Sequence, residues 1–341
     1  MNRRVSIFGD CEGDFLELQD DSIFEVKGLT HPPGRVIAYP RYVIDDNGDR
    51  VRDSKRFKKL YSFKERNYLM NQKYSSYLVI DPVFNRQLPE VPYEEVRFHN
   101  KPEDALYRLR HKDDIDETER RAVELADLLE NISGVSSSNI GISGSIMVGL
   151  HKPSSDIDIV TYGAKESMRL RDSMKNAFKN QANIRRYNHT ELVNLYRFRV
   201  QDTIMPFDEF VKHEKRKSFQ GIFKDHEFFI RYLSESKETY GDSIYFQEGL
   251  SKIKAKVTDC SDSFFTPCRY QLGQVEVTDG IDLPGISEAV SFRGRFCEQA
   301  EVGEEVELQG ALEKVVSSTG EHRRIILGER PSDFMVSLNL D

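Results

Sequence analysis

Apolar and polar positions alternate in three different ways along the chain. In the first third the apolar runs are short and rich in Val, Ile, Tyr and Phe: SIFEVKG (22–28), RVIAYPRYVI (35–44) and YSSYLVIDPV (74–83). HPPG, DDNGD and NRQLPEVP separate them with turn chemistry, so residues 1–112 read as a mainly-β domain with little helical periodicity. The period then changes. Within IDETERRAVELADLLENISG, Ile115, Ala122, Leu125, Ala126, Leu128, Leu129 and Ile132 fall at helical spacing, and Gly134 supplies a stop. NIGIS (139–143) predicts a short strand, and SIMVGLH (145–151) about two turns of helix before Pro153. DIDIVTYG (156–163) is β-branched and predicts a strand, AKESMRLRDSMKNAFKNQ (164–181) an amphipathic helix, and HEFFIRYL (226–233) a further strand. Residues 113–237 therefore read as an α/β domain. From 238 to 341 the pattern is β again, in five or so short runs with glycines at the bends, which predicts a small closed or partly closed barrel. The fold class expected is α+β, multidomain.

Chemistry concentrates in one stretch, GISGSIMVGLHKPSSDIDIV, residues 141–160. Side chains alternate along a strand, so Asp156 and Asp158 project together while Ile157 and Ile159 pack beneath. Two carboxylates held that close repel unless positive charge sits between them. Hard oxygen ligands suit Mg²⁺ (or Mn²⁺), which shares itself with substrate phosphates. Upstream, Gly144 permits a tight turn with close approach of backbone N–H groups to an anion, and Ser145 adds a hydroxyl at a helix start. Taken singly, a Gly-Ser turn or a D-x-D is common in solvated turns and strand ends. In the order helix, strand, Gly-Ser, short helix, strand with D-x-D, they outline a nucleoside triphosphate site with a metal clamp. Lys152 is a further candidate phosphate contact, with a solvated turn lysine as the plainer reading. His31, beside Pro32 and Pro33, reads as a turn residue.

Charge adds one feature. Net charge is −8, and residues 236–341 alone hold 11 Lys+Arg against 19 Asp+Glu, which leaves the rest balanced. Inside that balanced part, residues 165–235 carry 15 basic and 10 acidic side chains. An acidic barrel has the wrong sign for a phosphate backbone, so a nucleic acid would be expected along the basic segment, through Lys175, Lys179, Arg185, Arg186, Arg197 and Arg199. Cys11, Cys260, Cys268 and Cys297 show no C-x-x-C spacing, which predicts neither a zinc site nor a disulfide framework. The absence of a long apolar run predicts no membrane span and no signal peptide, hence a cytoplasmic protein.

The order and spacing of these motifs resemble the nucleotidyltransferase superfamily that contains DNA polymerase beta, the CCA-adding enzymes and the minimal nucleotidyltransferases. The superfamily signature covers roughly residues 115–235. The whole chain resembles a family of predicted archaeal nucleotidyltransferases, with HPPGRVIAYPRYV and SFRGRFCEQAEVGEEVELQGALEKV as its hallmarks. The resemblance implies a polymerase-beta-like central domain, an OB-like C-terminal barrel, a triphosphate gripped at Gly144 and Ser145, and metal-binding aspartates at Asp156 and Asp158. It also implies a third carboxylate on a neighbouring strand. In KDHEFFIRYL, Asp225, Glu227, Phe229 and Arg231 share one face; Glu227 is the first choice for catalytic and metal-binding carboxylate and Asp225 the second, although the superfamily usually has Asp there. The implied reaction moves a nucleoside monophosphate from a nucleoside triphosphate to an acceptor hydroxyl of a nucleic acid, a protein or a small molecule. The alternatives are a nucleotide-binding regulator with weak catalysis and a nucleic-acid-binding scaffold with a vestigial transferase domain.

Overall fold

The computed structural model describes residues 9–201, 203–235 and 238–340. Among these residues it is a mixed α/β structure with three sheets and seven helices. Two compact units divide the chain: residues 1–81, 86–184 and 221–240 form one, and residues 82–85, 185–220 and 241–341 the other.

The first unit begins with a sheet of eight strands, β1 (Phe15–Leu18), β2 (Ile23–Val26), β3 (Arg35–Ile44), β4 (Arg50–Arg52), β5 (Lys55–Lys59), β6 (Leu78–Asp81), β7 (Arg86–Pro92) and β8 (Val96–Asn100). Its main path is β4-β5-β3-β2-β1-β8, with β7 pairing both β3 and β6. The expected strands at 22–28 and 35–44 are β2 and β3. Two helices interrupt the region read as mainly β. Helix α1 (Phe63–Lys73) starts at a capping box, in which Ser62 accepts from the Glu65 amide and Glu65 from the Ser62 amide. Its one buried residue is Met70, so it carries no apolar stripe for a sequence pattern to show. Helix α2 (Pro102–Arg110) opens with proline at its first turn, followed by Glu103 and Asp104, and ends with Arg108 and Arg110.

Helix α3 (Glu117–Ser133) runs over the predicted apolar positions and stops at Gly134, whose φ of 66° is the left-handed cap. Strand β9 (Ile140–Ile142) leads to α4 (Gly144–Met147), a single turn rather than the two expected. The chain leaves the helix at Val148, whose amide bonds to the carbonyl of Ile146. Strand β10 (Ile157–Tyr162) and helix α5 (Ala164–Asn180) follow as expected. After β11 (Ile184–Arg185), α6 (His189–Arg199), α7 (Phe207–Arg216), β12 (Gln220–Phe223) and β13 (His226–Leu233), the second sheet is complete in the order β11-β12-β13-β10-β9. Ile157, Ile159, Phe228 and Ile230 are buried on one face of this sheet, which packs on α3 and α5. The rings of Phe178 and Phe228 stack there.

Residues of the N-terminal region pack on the opposite face and on the segment after the Gly-Ser turn. Phe15, Ile23, Tyr42 and Phe57 share one apolar cluster with Ala105 and with Met147, Val148 and Leu150, the residues that follow the Gly-Ser turn. Cys11 packs on Val160, Tyr162 and Leu233. The β4–β5 hairpin also clasps the segment after α4: Arg50 donates to the Leu150 carbonyl at 2.5 Å and Arg52 to the Val148 carbonyl at 3.1 Å.

In the second unit, β14 (Ser243–Asp259), β15 (Cys268–Gly280), β16 (Ile286–Ser291), β17 (Glu305–Ser317), β18 (Gly320–Ile326) and β19 (Phe334–Ser337) form one sheet. Its pairings run β14-β15-β16-β18-β17 and return to β14, with β16–β18 the parallel pair and β19 added outside β17. The five runs read from the sequence are β14 to β18. Helix α7 packs on this sheet through polar bonds: the Ser337 amide donates to His213 Nε2 at 3.0 Å, and Arg216 pairs with Glu304 at 2.9 Å. Lys217 is buried with Glu214 at 2.8 Å. All four cysteines are free thiols. No helix among the described residues is long and apolar enough to cross a membrane.

Candidate functional site

Strand β9 runs antiparallel to β10 with Ile142 opposite Ile159, and the Ser143 amide donates to the Asp158 carbonyl at 2.8 Å. That bond holds the Gly-Ser turn against the D-x-D. Gly144 has a φ of 65°, and a β-carbon on it would lie 1.9 Å from Asp158 Oδ2. A side chain there is excluded twice, by backbone conformation and by the carboxylate. Ser145 is buried, and its hydroxyl has no hydrogen-bond partner.

Asp156 is exposed at the entrance to β10, and Asp158 is half-buried one pleat further in. Among the described residues neither carboxylate makes an ion pair or accepts a side-chain hydrogen bond. Burial, and then the charge of Asp156, push the Asp158 carboxyl up to about 7. Lys59, Arg231 and Arg41 pull the other way without cancelling the effect.

Two of these cations, Lys59 and Arg41, come from the N-terminal sheet, and of the three the sequence places only Arg231 on this face. Strands β3 and β5 pair with Tyr42 opposite Lys59. Arg41 lies 3.7 Å from Glu25 and donates to the Leu60 carbonyl at 3.2 Å. Burial works against its charge, but Glu25, Tyr42, Asp158 and Asp156 together hold its pKa above the ordinary value. Arg231 of β13 pairs with Glu12 at 3.0 Å and approaches Glu25 at 3.9 Å. Lys27 completes the network, 2.7 Å from Glu25 and 3.3 Å from Glu12. Burial opposes ionisation of Glu25, but Lys27, Arg41, Arg66 and Arg231 hold its carboxyl well below the usual range. Burial, then Arg41, lower the Lys59 ammonium to about 8 against the pull of Asp156 and Asp158. The sequence signals for this group are charged residues inside otherwise apolar runs, Arg41 in RVIAYPRYVI and Arg231 in HEFFIRYL.

The two candidates for a third carboxylate have different surroundings. Strands β10 and β13 are parallel with Asp158 level with Phe229. Glu227, two residues before Phe229, therefore projects on the Asp158 face and stands one pleat towards Asp156. Asp225 is exposed in the preceding turn, 3.5 Å from Arg121 of α3 and 3.0 Å from His226. Lys152 pairs with Asp49 at 2.5 Å, so its ammonium is engaged away from the carboxylate pair. His31 is bonded within its turn region, Nδ1 accepting from the Ile37 amide and Nε2 meeting the Asp10 carbonyl.

Among the described residues, two groups of three acidic or histidine side chains have ligand atoms gathered within 4.8 Å: Asp10, Asp14 and His99, and Asp116, Glu119 and His151. Both have internal partners. His99 bridges Asp10 and Asp14 at 3.2 and 2.7 Å, with Lys101 3.1 Å from Asp14. Asp116 and Glu119 are the capping box of α3, with Lys112 on Glu119 at 2.9 Å. Asp156 and Asp158 differ from both groups: they are two hard oxygen donors without an ion pair among the described residues, and the charge of Asp156 raises the Asp158 carboxyl.

Of the six basic residues expected to meet a nucleic acid, three are engaged. Arg185 holds Glu191 at 2.7 Å, Arg186 donates to the Lys217 carbonyl at 2.6 Å, and Arg199 holds Glu214 at 3.2 Å. Lys175 and Lys179 lie on α5 in the first unit, while the four arginines lie in the second.

No family model matches the chain, and no solved structure matches it. It is similar to the uncharacterized protein MJ1086 of Methanocaldococcus jannaschii, with 30% identity over 334 residues covering 94% of this chain and 96% of that protein. At that identity over almost the full length of both, the chain belongs to the same family as MJ1086.

Proposed function

We propose that the protein is a Mg²⁺- or Mn²⁺-dependent nucleotidyltransferase, acting through Asp156, Asp158 and Glu227 with Gly144 and Ser145 as the nucleotide-binding turn. The observation that carries this reading is the packing of the Asp158 carboxylate directly on Gly144. It joins an anion-accepting turn to a pair of unpaired carboxylates in one site. In the same reading the second sheet with α3 and α5 is a polymerase-beta-like domain. The closed pairing β14-β15-β16-β18-β17, with its one parallel pair, is an OB-like barrel.

Asp156 and Asp158 would hold the cation, which when bound supplies charge stabilisation for the attacking and leaving oxygens of an in-line displacement. Glu227 accepts the proton of the acceptor hydroxyl. The hydroxyl oxygen forms a bond to the α-phosphorus as the bond to the β-phosphate bridging oxygen breaks, and pyrophosphate leaves. The Gly144–Ser145 turn orients the phosphates, so positioning and electrostatics carry the rate.

One observation favours the second reading, a nucleotide-binding regulator: the residue level with Asp158 on β13 is Phe229, not a carboxylate. The two readings separate in one experiment. Mg²⁺-dependent ATP, GTP, CTP or UTP binding is measured by calorimetry, and pyrophosphate release is followed with RNA, protein extract or small-molecule acceptors. Binding that Asp156→Asn and Asp158→Asn abolish, with pyrophosphate release, supports the transferase. Binding without release supports the regulator, and binding that both variants retain in full sinks both.

A further inference from the structure

The cations around the Asp156–Asp158 pair are not equivalent. Arg41 is held by Glu25 and the Leu60 carbonyl, and Arg231 by Glu12 and Glu25. Each of these has a protein partner that fixes its charge in place. Lys59 does not: among the described residues no carboxylate lies within ion-pair distance of its ammonium, and it makes no hydrogen bond. What surrounds it is aromatic. Its Nζ is 6.0 Å from the centre of the Tyr42 ring and 5.2 Å from that of Tyr61. Tyr42 stands opposite Lys59 in the β3–β5 register and is fully buried, so the lysine stem is supported along its length.

A half-buried ammonium without a counter-ion is costly in a fold that has carboxylates to spare. Asp156 and Asp158, which make no ion pair among the described residues, attract it without pairing with it. The ammonium and the two carboxylates thus attract each other without pairing, on a side of the unit where Tyr42, the cross-strand neighbour of Lys59, packs with the residues that follow the Gly-Ser turn. A metal–polyphosphate satisfies both signs, because the cation takes the carboxylates and a phosphate oxygen takes the ammonium.

From this arrangement we infer that Lys59, carried on β5 of the N-terminal sheet, is the phosphate-binding residue for a polyphosphate substrate held at Asp156 and Asp158. The inference rests on the metal–nucleotide reading of that site and extends it to a domain in which the sequence reading finds no chemical motif. It assigns the N-terminal sheet a direct share in substrate binding. The recognised feature is the polyphosphate and not the base.

The test uses the full-length protein and two probes, Mg²⁺–tripolyphosphate and Mg²⁺–ATP, by calorimetry. Lys59→Met should weaken both by about ten- to hundredfold, the range for one charge-assisted hydrogen bond. Lys59→Arg should recover most of the loss. In the absence of ligand, Lys59→Met should melt at or above the wild-type temperature, because it removes an uncompensated charge while keeping the packing against Tyr42. A structural lysine would give the opposite shift. Wild-type affinity for both probes in Lys59→Met, with Asp156→Asn inactive, overturns the assignment and leaves the metal–nucleotide site standing. A lowered melting temperature in both Lys59→Met and Lys59→Gln assigns Lys59 to the fold and also overturns it. Failure of the wild type to bind either probe removes the metal–nucleotide reading itself, and this inference with it.

Discussion

Asp158 Oδ2 occupies the space that a β-carbon on Gly144 would need, with only 1.9 Å between them. The turn and the carboxylate are thus fitted to each other, not merely near in sequence. Gly144→Ala places an L side chain at a φ of 65° and drives it into that carboxylate. The backbone term alone is about 1–2 kcal/mol. A lowered melting temperature, and Mg²⁺–ATP affinity reduced by about tenfold or more, are the expected outcome. A variant that binds as the wild type would show that the turn does not define the site.

The third carboxylate is a choice between two residues two positions apart. Glu227 shares the Asp158 face through the parallel register, whereas Asp225 is tied to Arg121 and His226. Glu227→Gln should lower pyrophosphate release while sparing nucleotide affinity, because its task is the acceptor proton. Asp225→Asn should leave both unchanged. Kinetics in which Asp225→Asn is the damaged variant would transfer the role to Asp225.

The parts of the site that the sequence made legible are those whose geometry is local. Asp156 and Asp158 share a face because strands have a period of two, and Gly144 lies beside them because β9 returns antiparallel to β10. Arg41 and Lys59 were not legible as site residues, since about a hundred residues separate them from the aspartates. The packing of Tyr42 and Phe57 on Met147, Val148 and Leu150, with the bonds of Arg50 and Arg52 to the same segment, brings them there. Helix α1 escaped the reading for a different reason: with Met70 as its only buried residue, its stability lies in caps and not in an apolar stripe. Helix α4 was read too long because the apolar run IMVGL is buried throughout except at Gly149, and a buried run does not declare its period.

A pH dependence outside the site follows from Glu90. Its carboxyl is buried beside Asp81, which in turn accepts from the Tyr240 hydroxyl at 2.8 Å. Burial, then the hydrogen bond and charge of Asp81, raise Glu90 from 4.5 to about 7. Between those values the folded protein keeps a proton that the unfolded chain releases, so stability falls as pH rises through that window and levels off above it. Melting curves should show the decline in the wild type. Glu90→Gln should flatten it, with its advantage appearing at about pH 8 and absent at about pH 4. Parallel curves for the two proteins would place the proton elsewhere.

The last prediction concerns the clasp between the N-terminal hairpin and the segment that follows the Gly-Ser turn. Arg50 is 7% exposed and reaches the Leu150 carbonyl, with its guanidinium 5.8 Å from the centre of the Tyr42 ring. The Leu150 amide bonds back to the Ser145 carbonyl at 2.9 Å, so the clasp acts on the turn through one residue. Arg50→Met keeps the bulk but leaves the Leu150 carbonyl without its charged donor, a loss of about 2–3 kcal/mol. Lys152→Met removes a pair on the same segment, but Lys152 is 39% and Asp49 61% exposed. That change should cost no more than about 1 kcal/mol. If the clasp holds the turn in its binding geometry, Arg50→Met should weaken Mg²⁺–ATP binding at temperatures where the variant is fully folded, and Lys152→Met should not. A folded Arg50→Met protein with wild-type affinity would confine the hairpin to stability and show that β9 and β10 shape the turn unaided.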